Sequence, residues 1–231
     1  MNLKSISLTK SELKVVEELR AKYSGLPTNL LRNLEGLLRQ TRVLLTRVNE
    51  GTKERRESQF ALMGIVYRTH HLLLGGVQQI TNPNKHVWEA CLRGLIETFG
   101  AIAWVNEKPV RLPALIQGDD VKSGKLLNAA YIRFKGLKDD YARLSDWVHL
   151  SSVSLLLGHE MVNEDQGLVI FALPEPNLLP NEAQVAVDSL VSVCRLIYRD
   201  IEVLLDKHPE VISSGKLVGS IAWKGKPPDD I

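Results

Sequence analysis

The stretch HVWEACLRGLIETFGAIAWV, residues 86–105, decides the fold because it is apolar and carries its charges at a helical spacing. Glu89, Arg93 and Glu97 are four residues apart, so they form one ridge along an α-helix. Every other residue after Glu89 in the stretch is apolar, glycine or threonine. Such a helix is surrounded by protein, and its charged ridge must face something that neutralises it, because an unpaired buried charge is costly.

A second polar ridge runs along a later segment of helical period, KDDYARLSDWVHLSS at residues 138–152. Tyr141, Ser145 and His149 are spaced by four in this segment, so their side chains lie on one face of a helix. Buried polar groups need hydrogen-bond partners. We therefore expect the second ridge to meet the first.

The meeting of the two ridges has two interpretations. In the first, Arg93 makes a structural ion pair with Glu97 or Glu89 and fixes how the helices pack. In the second, Arg93 and Glu97 line a pocket in which Glu89, Tyr141 and Ser145 are binding groups. Arginine suits both roles, because its planar fork can satisfy a carboxylate and a hydroxyl together.

Helical periodicity covers almost all of the chain up to residue 153 and predicts a mainly α protein. TKSE, residues 9–12, is a capping box that starts a first helix ending near Gly25, and Pro27 suits the start of a second. Further long helices are expected at about residues 53–80, from Lys85 to Asn106, and from the N-cap Asn181 to Pro209. Together they predict an antiparallel helical bundle.

The sequence after Ser152 breaks this pattern. A β-rich run, LVIFA, follows turn residues, and Pro174, Pro176 and Pro180 argue against a helix there. We expect a small hairpin or extended insertion at about residues 155–180, after the helix that carries His149. Residues 1–208 would form a single helical domain, and 209–231 a C-terminal tail in which Trp223 docks on the body or on a partner.

Composition and motifs exclude several classes of protein. The 231 residues include 29 basic and 27 acidic side chains, too even a balance to indicate nucleic-acid or membrane binding. The two cysteines lie in apolar runs, which is typical of a cytoplasmic protein without disulfides. Adjacent His70 and His71 point about 100° apart on a helix and cannot share a metal ion. We expect no metal site, no cofactor and no membrane span.

The two ridges resemble uncharacterised bacterial families grouped with or near the HEPN superfamily of helical domains. The resemblance rests on Arg93 and Glu97 in one apolar helix and on Tyr141 to His149 in a later one, and it spans roughly residues 55–180. HEPN ribonucleases carry an arginine followed after four to six residues by a histidine, and they cleave RNA without metal, generally as dimers. Arg143 and His149 have that spacing here, with Leu144 in place of the usual polar residue.

The resemblance implies a metal-independent ribonuclease or RNA-binding protein with a role in stress or defence. His149 would act as general base on the ribose hydroxyl, Arg143 or Arg93 would stabilise the charged phosphate, and Glu97 would orient Arg93. The alternative is a non-catalytic helical protein whose ridges are structural or bind a small anionic ligand or a protein partner. A homodimer is expected in either case, from the glycine pair in LLLGGV and the broad apolar face of the last helix.

Overall fold

The structure, a computed structural model, describes residues 6–49, 56–82, 87–117, 121–148, 159–163, 168–171 and 178–218. These residues form a mainly α protein, as predicted. The elements, in chain order, are α1 (Lys10–Lys22), α2 (Thr28–Asn49), α3 (Glu57–Thr81), α4 (Val87–Glu107), α5 (Ala114–Gln117), α6 (Ser123–Arg133), α7 (Leu137–Val148), β1 (His159–Asn163), β2 (Leu168–Phe171) and α8 (Pro180–Lys207). Short 3-10 turns follow α4 and α8, at Pro109–Arg111 and Pro209–Ser213.

Helix α3 contacts α1, α2, α4, α5 and α8 and runs antiparallel to α2. Near the start of α3, Gln59 donates a hydrogen bond of 3.0 Å to the backbone oxygen of Val48, close to the end of α2. Further back along α2, the Thr41 hydroxyl lies 3.2 Å from the ring of His70, in the second half of α3. The two helices therefore pass in opposite directions.

Helix α3 is also antiparallel to α4 and α8. Arg68 in the middle of α3 reaches Thr98 in α4, whereas Gly76 near its end lies against Cys91, close to the start of α4. A Cβ on Gly76 would also lie 2.8 Å from a terminal methyl carbon of Leu190 in α8. This confirms the antiparallel bundle and shows a close helix crossing at the glycine pair, which is therefore used inside the chain.

The predicted capping box of α1 forms. The backbone N–H of Glu12 donates to the Thr9 hydroxyl at 3.2 Å, and that of Thr9 donates to the Glu12 carboxylate at 2.6 Å. At the other end of the fold, the predicted N-cap of α8, Asn181, was wrong: Leu179 is the N-cap and Pro180 occupies the first helical position. Proline fits there because the backbone N–H at the first helical position has no partner within the helix, and because the fixed φ of proline is already a helical one.

The two strands form the hairpin expected after α7. They pair antiparallel, with His159 opposite Phe171 and Glu160 opposite Ile170. His159 is therefore a strand residue and not the loop residue that its LGHEM context suggests. The branched and aromatic residues of β2, LVIF, are typical of a strand.

The chain continues to pack on the helices past residue 208, beyond the boundary predicted for the tail. The hydroxyls of Ser214 and Ser58 are 2.6 Å apart, and the backbone N–H of Lys216 donates to Glu57 at 2.9 Å. Gly215 has a φ of +87°, which lets the chain turn against the start of α3. Trp223 lies outside the described residues.

The core is centred on α4, as the opening stretch predicts. The apolar side chains that surround its polar ridge are fully or almost fully buried, among them Leu95, Ile96, Phe99, Ile102 and Val105. Within the described ranges, none of the helices combines the length and the apolar character that crossing a membrane requires.

Candidate functional site

The two predicted ridges meet through Glu97, Arg93 and Tyr141. The Tyr141 hydroxyl donates to Glu97 Oε1 at 2.9 Å, and Arg93 Nε donates to the Tyr141 oxygen at 3.2 Å. Arg93 Nε also lies 3.4 Å from Glu97 Oε1, one helical turn away, and the guanidinium carbon stands 5.2 Å from the centre of the Tyr141 ring. The contact expected between α4 and α7 is therefore present, with Arg93 paired to Glu97.

A second arginine, Arg68 of α3, completes this group of side chains. Its Nη2 lies 3.5 Å from Glu97 Oε2, and its Nε donates to the Thr98 hydroxyl at 3.1 Å. We call Arg68, Arg93, Glu97 and Tyr141 the Glu97 cluster. Sequence reasoning missed Arg68, because no spacing within one helix relates it to residues of α4. The one available signal was a lone arginine in the largely apolar α3 segment.

The side chains of the Glu97 cluster differ in how much of their surface is exposed to solvent. The side chain of Arg93 is 18% exposed, that of Glu97 34% and that of Arg68 56%. Ion pairs with this much access to water stabilise a fold by only ~0–1 kcal/mol each. Two guanidinium groups face one carboxylate, so the cluster has one surplus positive charge. It is therefore better suited to binding an anion than to holding the bundle together.

An apolar cavity of about 380 Å³ opens beside the Glu97 cluster, between α3, α4, α5 and α6. Its volume is within the range of small-molecule pockets. Its polar lining comes from Arg68, Glu97, Thr98 and Ser123. Its large apolar lining residues are Phe60, Ile65, Leu115, Ile116, Leu126 and Leu127. A small molecule with an apolar body and a polar head matches this division.

Glycines shape two walls of this cavity. Gly64 lines it from the interior of α3, and a Cβ placed there would meet nothing within 4 Å. Gly64 is exposed, so the absence of a side chain there leaves this edge of the cavity open. At Gly100, a Cβ would lie 2.5 Å from the backbone oxygen of Leu126, which shows how closely α6 approaches α4.

Helix α6, the outer wall of the cavity, is anchored to α8 by an ion pair. Arg133 Nη1 lies 2.6 Å from Asp200 Oδ2, and the Asp200 side chain is only 6% exposed. Burial raises the pKa of Asp200, although the Arg133 guanidinium opposes that rise. The pair holds the end of α6 against the bundle and so keeps the cavity wall in place.

The other predicted site residues are placed less favourably. Arg143 is 59% exposed and pairs at 3.8 Å with Asp140. Because it follows Tyr141 by two residues, about 200° around α7, it points away from the Glu97 cluster. Ser145 Oγ is buried with no hydrogen-bond partner among the described residues. Glu89 is buried in the first turn of α4, and His149 lies outside the described residues.

A second polar network, which sequence reasoning missed, joins four helices around Thr41. The Thr41 hydroxyl of α2 lies 2.6 Å from the hydroxyl of Tyr198 in α8 and 3.2 Å from Nδ1 of His70 in α3. On its other side, His70 Nε2 is 3.4 Å from the Glu12 carboxylate of α1. Arg42 also binds that carboxylate. We call these five residues the Thr41 network.

The protonation states of the Thr41 network decide which of its groups donate hydrogen bonds and which accept them. Burial lowers the pKa of His70, against the attraction of Glu12, so the ring is neutral at neutral pH. With its proton on Nε2, which faces Glu12 at 3.4 Å, the ring accepts from the Thr41 hydroxyl at Nδ1. Burial also raises the pKa of Tyr198, so its hydroxyl keeps the proton that it donates to Thr41. Burial alone would raise the pKa of Glu12, but hydrogen bonds from Thr9 and Arg42 outweigh it and hold the pKa below its usual value.

The Thr41 network lies apart from the cavity beside the Glu97 cluster, whose lining includes none of its residues. Thr41, Tyr198, His70 and Glu12 are paired within the network, whereas Nη1 of Arg42 is buried without a hydrogen-bond partner among the described residues. Among the residues that the structure describes, no three His, Cys, Asp or Glu side chains come together as metal ligands would. Comparisons of the chain with protein-family models, with curated proteins and with solved structures each found no match.

Proposed function

We propose that this protein binds a small molecule with an apolar body in the cavity between α3, α4, α5 and α6. The observation that carries the proposal is the cavity itself, lined mainly by apolar side chains and bordered by the Glu97 cluster. The lining position at Gly64 makes the proposal testable, because a larger side chain there has room to enter the cavity. This is the ligand-binding form of the non-catalytic alternative.

The test uses N-phenyl-1-naphthylamine, an uncharged dye whose fluorescence rises in apolar surroundings. The full-length protein should bind it saturably. Gly64→Leu should fill the cavity and remove most of the signal, while its melting temperature stays the same or rises, since leucine is the better helix former. Gly36→Leu is the matched control, because Gly36 also lies inside a helix, a Cβ placed there would meet nothing within 4 Å, and it does not line the cavity. Equal dye binding by the Gly64→Leu variant and the wild type would contradict the proposal.

Metal-independent ribonuclease activity is the second candidate, and it stays a prediction. It is supported by the contacts of Arg93 and Glu97 with Tyr141, because Tyr141 belongs to α7, the helix that precedes His149 in the sequence. The exposed position of Arg143, paired to Asp140, argues against its catalytic role within one chain. Cleavage of single-stranded RNA in the presence of EDTA, lost in both His149→Ala and Arg93→Lys, would establish it. Cleavage that survives both changes would show contaminating nuclease.

A cytoplasmic homodimer is also part of the proposal. The glycine pair no longer supports a dimer, because Gly76 is used to pack α3 against α8. Exposed apolar side chains among the described residues, such as Ile132 in α6 and Val185 in α8, remain as its support. Light scattering at micromolar concentration should give twice the mass of the chain, and the mass of a single chain would contradict this part.

A further inference from the structure

We infer that the ligand of this cavity is an amphipathic monocarboxylate whose head group is bound by Arg68. The inference rests on the proposed function and adds the chemical class of the ligand. Its starting point is that the cavity is apolar over most of its lining, while the charged side chains that border it belong to one group, the Glu97 cluster.

The carboxylate of Glu97 is already occupied. Its Oε1 accepts from the Tyr141 hydroxyl at 2.9 Å and faces Arg93 Nε at 3.4 Å, and its Oε2 faces Arg68 Nη2 at 3.5 Å. A ligand amine would therefore have to compete with two guanidinium groups for one carboxylate. The surplus charge of the cluster is positive, which excludes a cationic head group and favours an anionic one.

Arg68 is the arginine that is free to take the ligand. It lines the cavity and is the most exposed member of the cluster, whereas Arg93 lines no part of the cavity and lies under the Tyr141 ring. Arg68 uses Nε for Thr98 and Nη2 for Glu97, and its Nη1 has no hydrogen-bond partner among the described residues. The guanidinium thus keeps donors for a further acceptor at the edge of the apolar space.

The surplus of one positive charge fits a single carboxylate better than a phosphate ester. A doubly charged phosphate would exceed the available positive charge and would meet repulsion from Glu97, which shares Nη2 of the same arginine. Arginine binds a carboxylate through charge-assisted hydrogen bonds, which are about twice as strong as neutral ones. The apolar body would lie along Phe60, Ile65 and Leu127, with the cavity wall at Gly64 left open for it.

The experiment compares octanoate with octanol, which share a chain and differ in the head group. Both are titrated against full-length protein carrying N-phenyl-1-naphthylamine, and displacement of the dye is measured. We expect octanoate to displace the dye at about one-tenth of the octanol concentration, the size of effect that a charge-assisted hydrogen bond gives. Arg68→Met should remove this difference, measured as the ratio of the octanoate and octanol concentrations that displace half of the dye from the same variant. Arg32→Met is the matched control, because Arg32 is an exposed arginine on α2 that does not line the cavity.

The outcomes separate the two proposals. If the dye binds and octanol displaces it as well as octanoate does, the carboxylate inference is wrong and the binding function stands. If octanoate keeps its advantage in Arg68→Met, another cation holds the head group and the inference is also wrong. If the dye does not bind the wild-type protein at all, the binding function itself fails.

Discussion

Thr41→Val is the most informative single change, because it removes one hydroxyl from the centre of the Thr41 network and keeps the shape of the side chain. Thr41 is 3% exposed and Tyr198 is fully buried, so water cannot replace what is lost. The change leaves the Tyr198 hydroxyl without the acceptor that lies 2.6 Å away. It also removes the donor that faces Nδ1 of His70.

The expected loss follows from this geometry. A buried polar group left unsatisfied costs ~1–3 kcal/mol, and the half-buried His70 nitrogen adds to that, so we expect Thr41→Val to lower the free energy of unfolding by about 2–3 kcal/mol. For a protein of this size, the melting temperature should fall by roughly 4–12 °C. Tyr198→Phe should cost only about 1 kcal/mol, since Thr41 loses one donor but keeps both acceptors for its own proton, His70 Nδ1 at 3.2 Å and the backbone oxygen of Leu37 at 3.3 Å.

The double variant decides whether the network is real. In the Thr41→Val background, Tyr198→Phe removes the stranded hydroxyl, so the double variant should be no less stable than Thr41→Val alone. Urea unfolding followed by circular dichroism gives the four free energies of the cycle, and we expect a coupling of about 1–2 kcal/mol. Effects that add to within ~0.5 kcal/mol would refute the contact between α2 and α8 that the structure shows.

Three further predictions concern other parts of the fold. Burial lowers the pKa of His70 from its usual 6.5, so below that pH the unfolded chain takes up a proton that the folded protein does not. The free energy of unfolding should therefore fall as pH drops below about 6.5. Urea unfolding from pH 7 to 5 should show that this free energy depends less on pH in His70→Gln than in the wild type, with His71→Gln as the control. Gly100→Ala should lower the free energy of unfolding by about 1–3 kcal/mol, because its Cβ would press on the backbone of Leu126. Gly36→Ala should instead raise it by up to ~1 kcal/mol. Equal effects of the two changes in thermal unfolding would contradict the close approach of α6 to α4. Glu97→Gln should lower the free energy of unfolding by about 1 kcal/mol or less, because Glu97 is partly exposed. It should tighten octanoate binding in the dye titration, because two arginines are left without their carboxylate partner. Weaker octanoate binding would show that Glu97 is needed to position Arg68.

Much of the fold could be predicted because it depends on local patterns. The charges of α4 recur every four residues in an apolar run, which predicts a helix surrounded by protein with one polar ridge, and Thr9 with Glu12 predicts the start of α1. The contact between Arg93, Glu97 and Tyr141 could also be expected, because polar groups on the faces that two helices bury need hydrogen-bond partners. Helix boundaries were harder to predict beside proline, since Pro180 begins a helix although the prolines before it argue against one.

The sequence pattern does not predict which helices become neighbours. Arg68 joins Glu97, and Thr41 joins Tyr198 across 157 positions, only because the bundle brings α3 beside α4 and α2 beside α8. The cavity likewise arises from how closely α6 approaches α4 at Gly100 and from the space left open at Gly64. Periodicity is a property of one helix and specifies the face that is buried. The partner of that face is chosen by packing between segments far apart in the chain, and both polar clusters and the cavity depend on that choice.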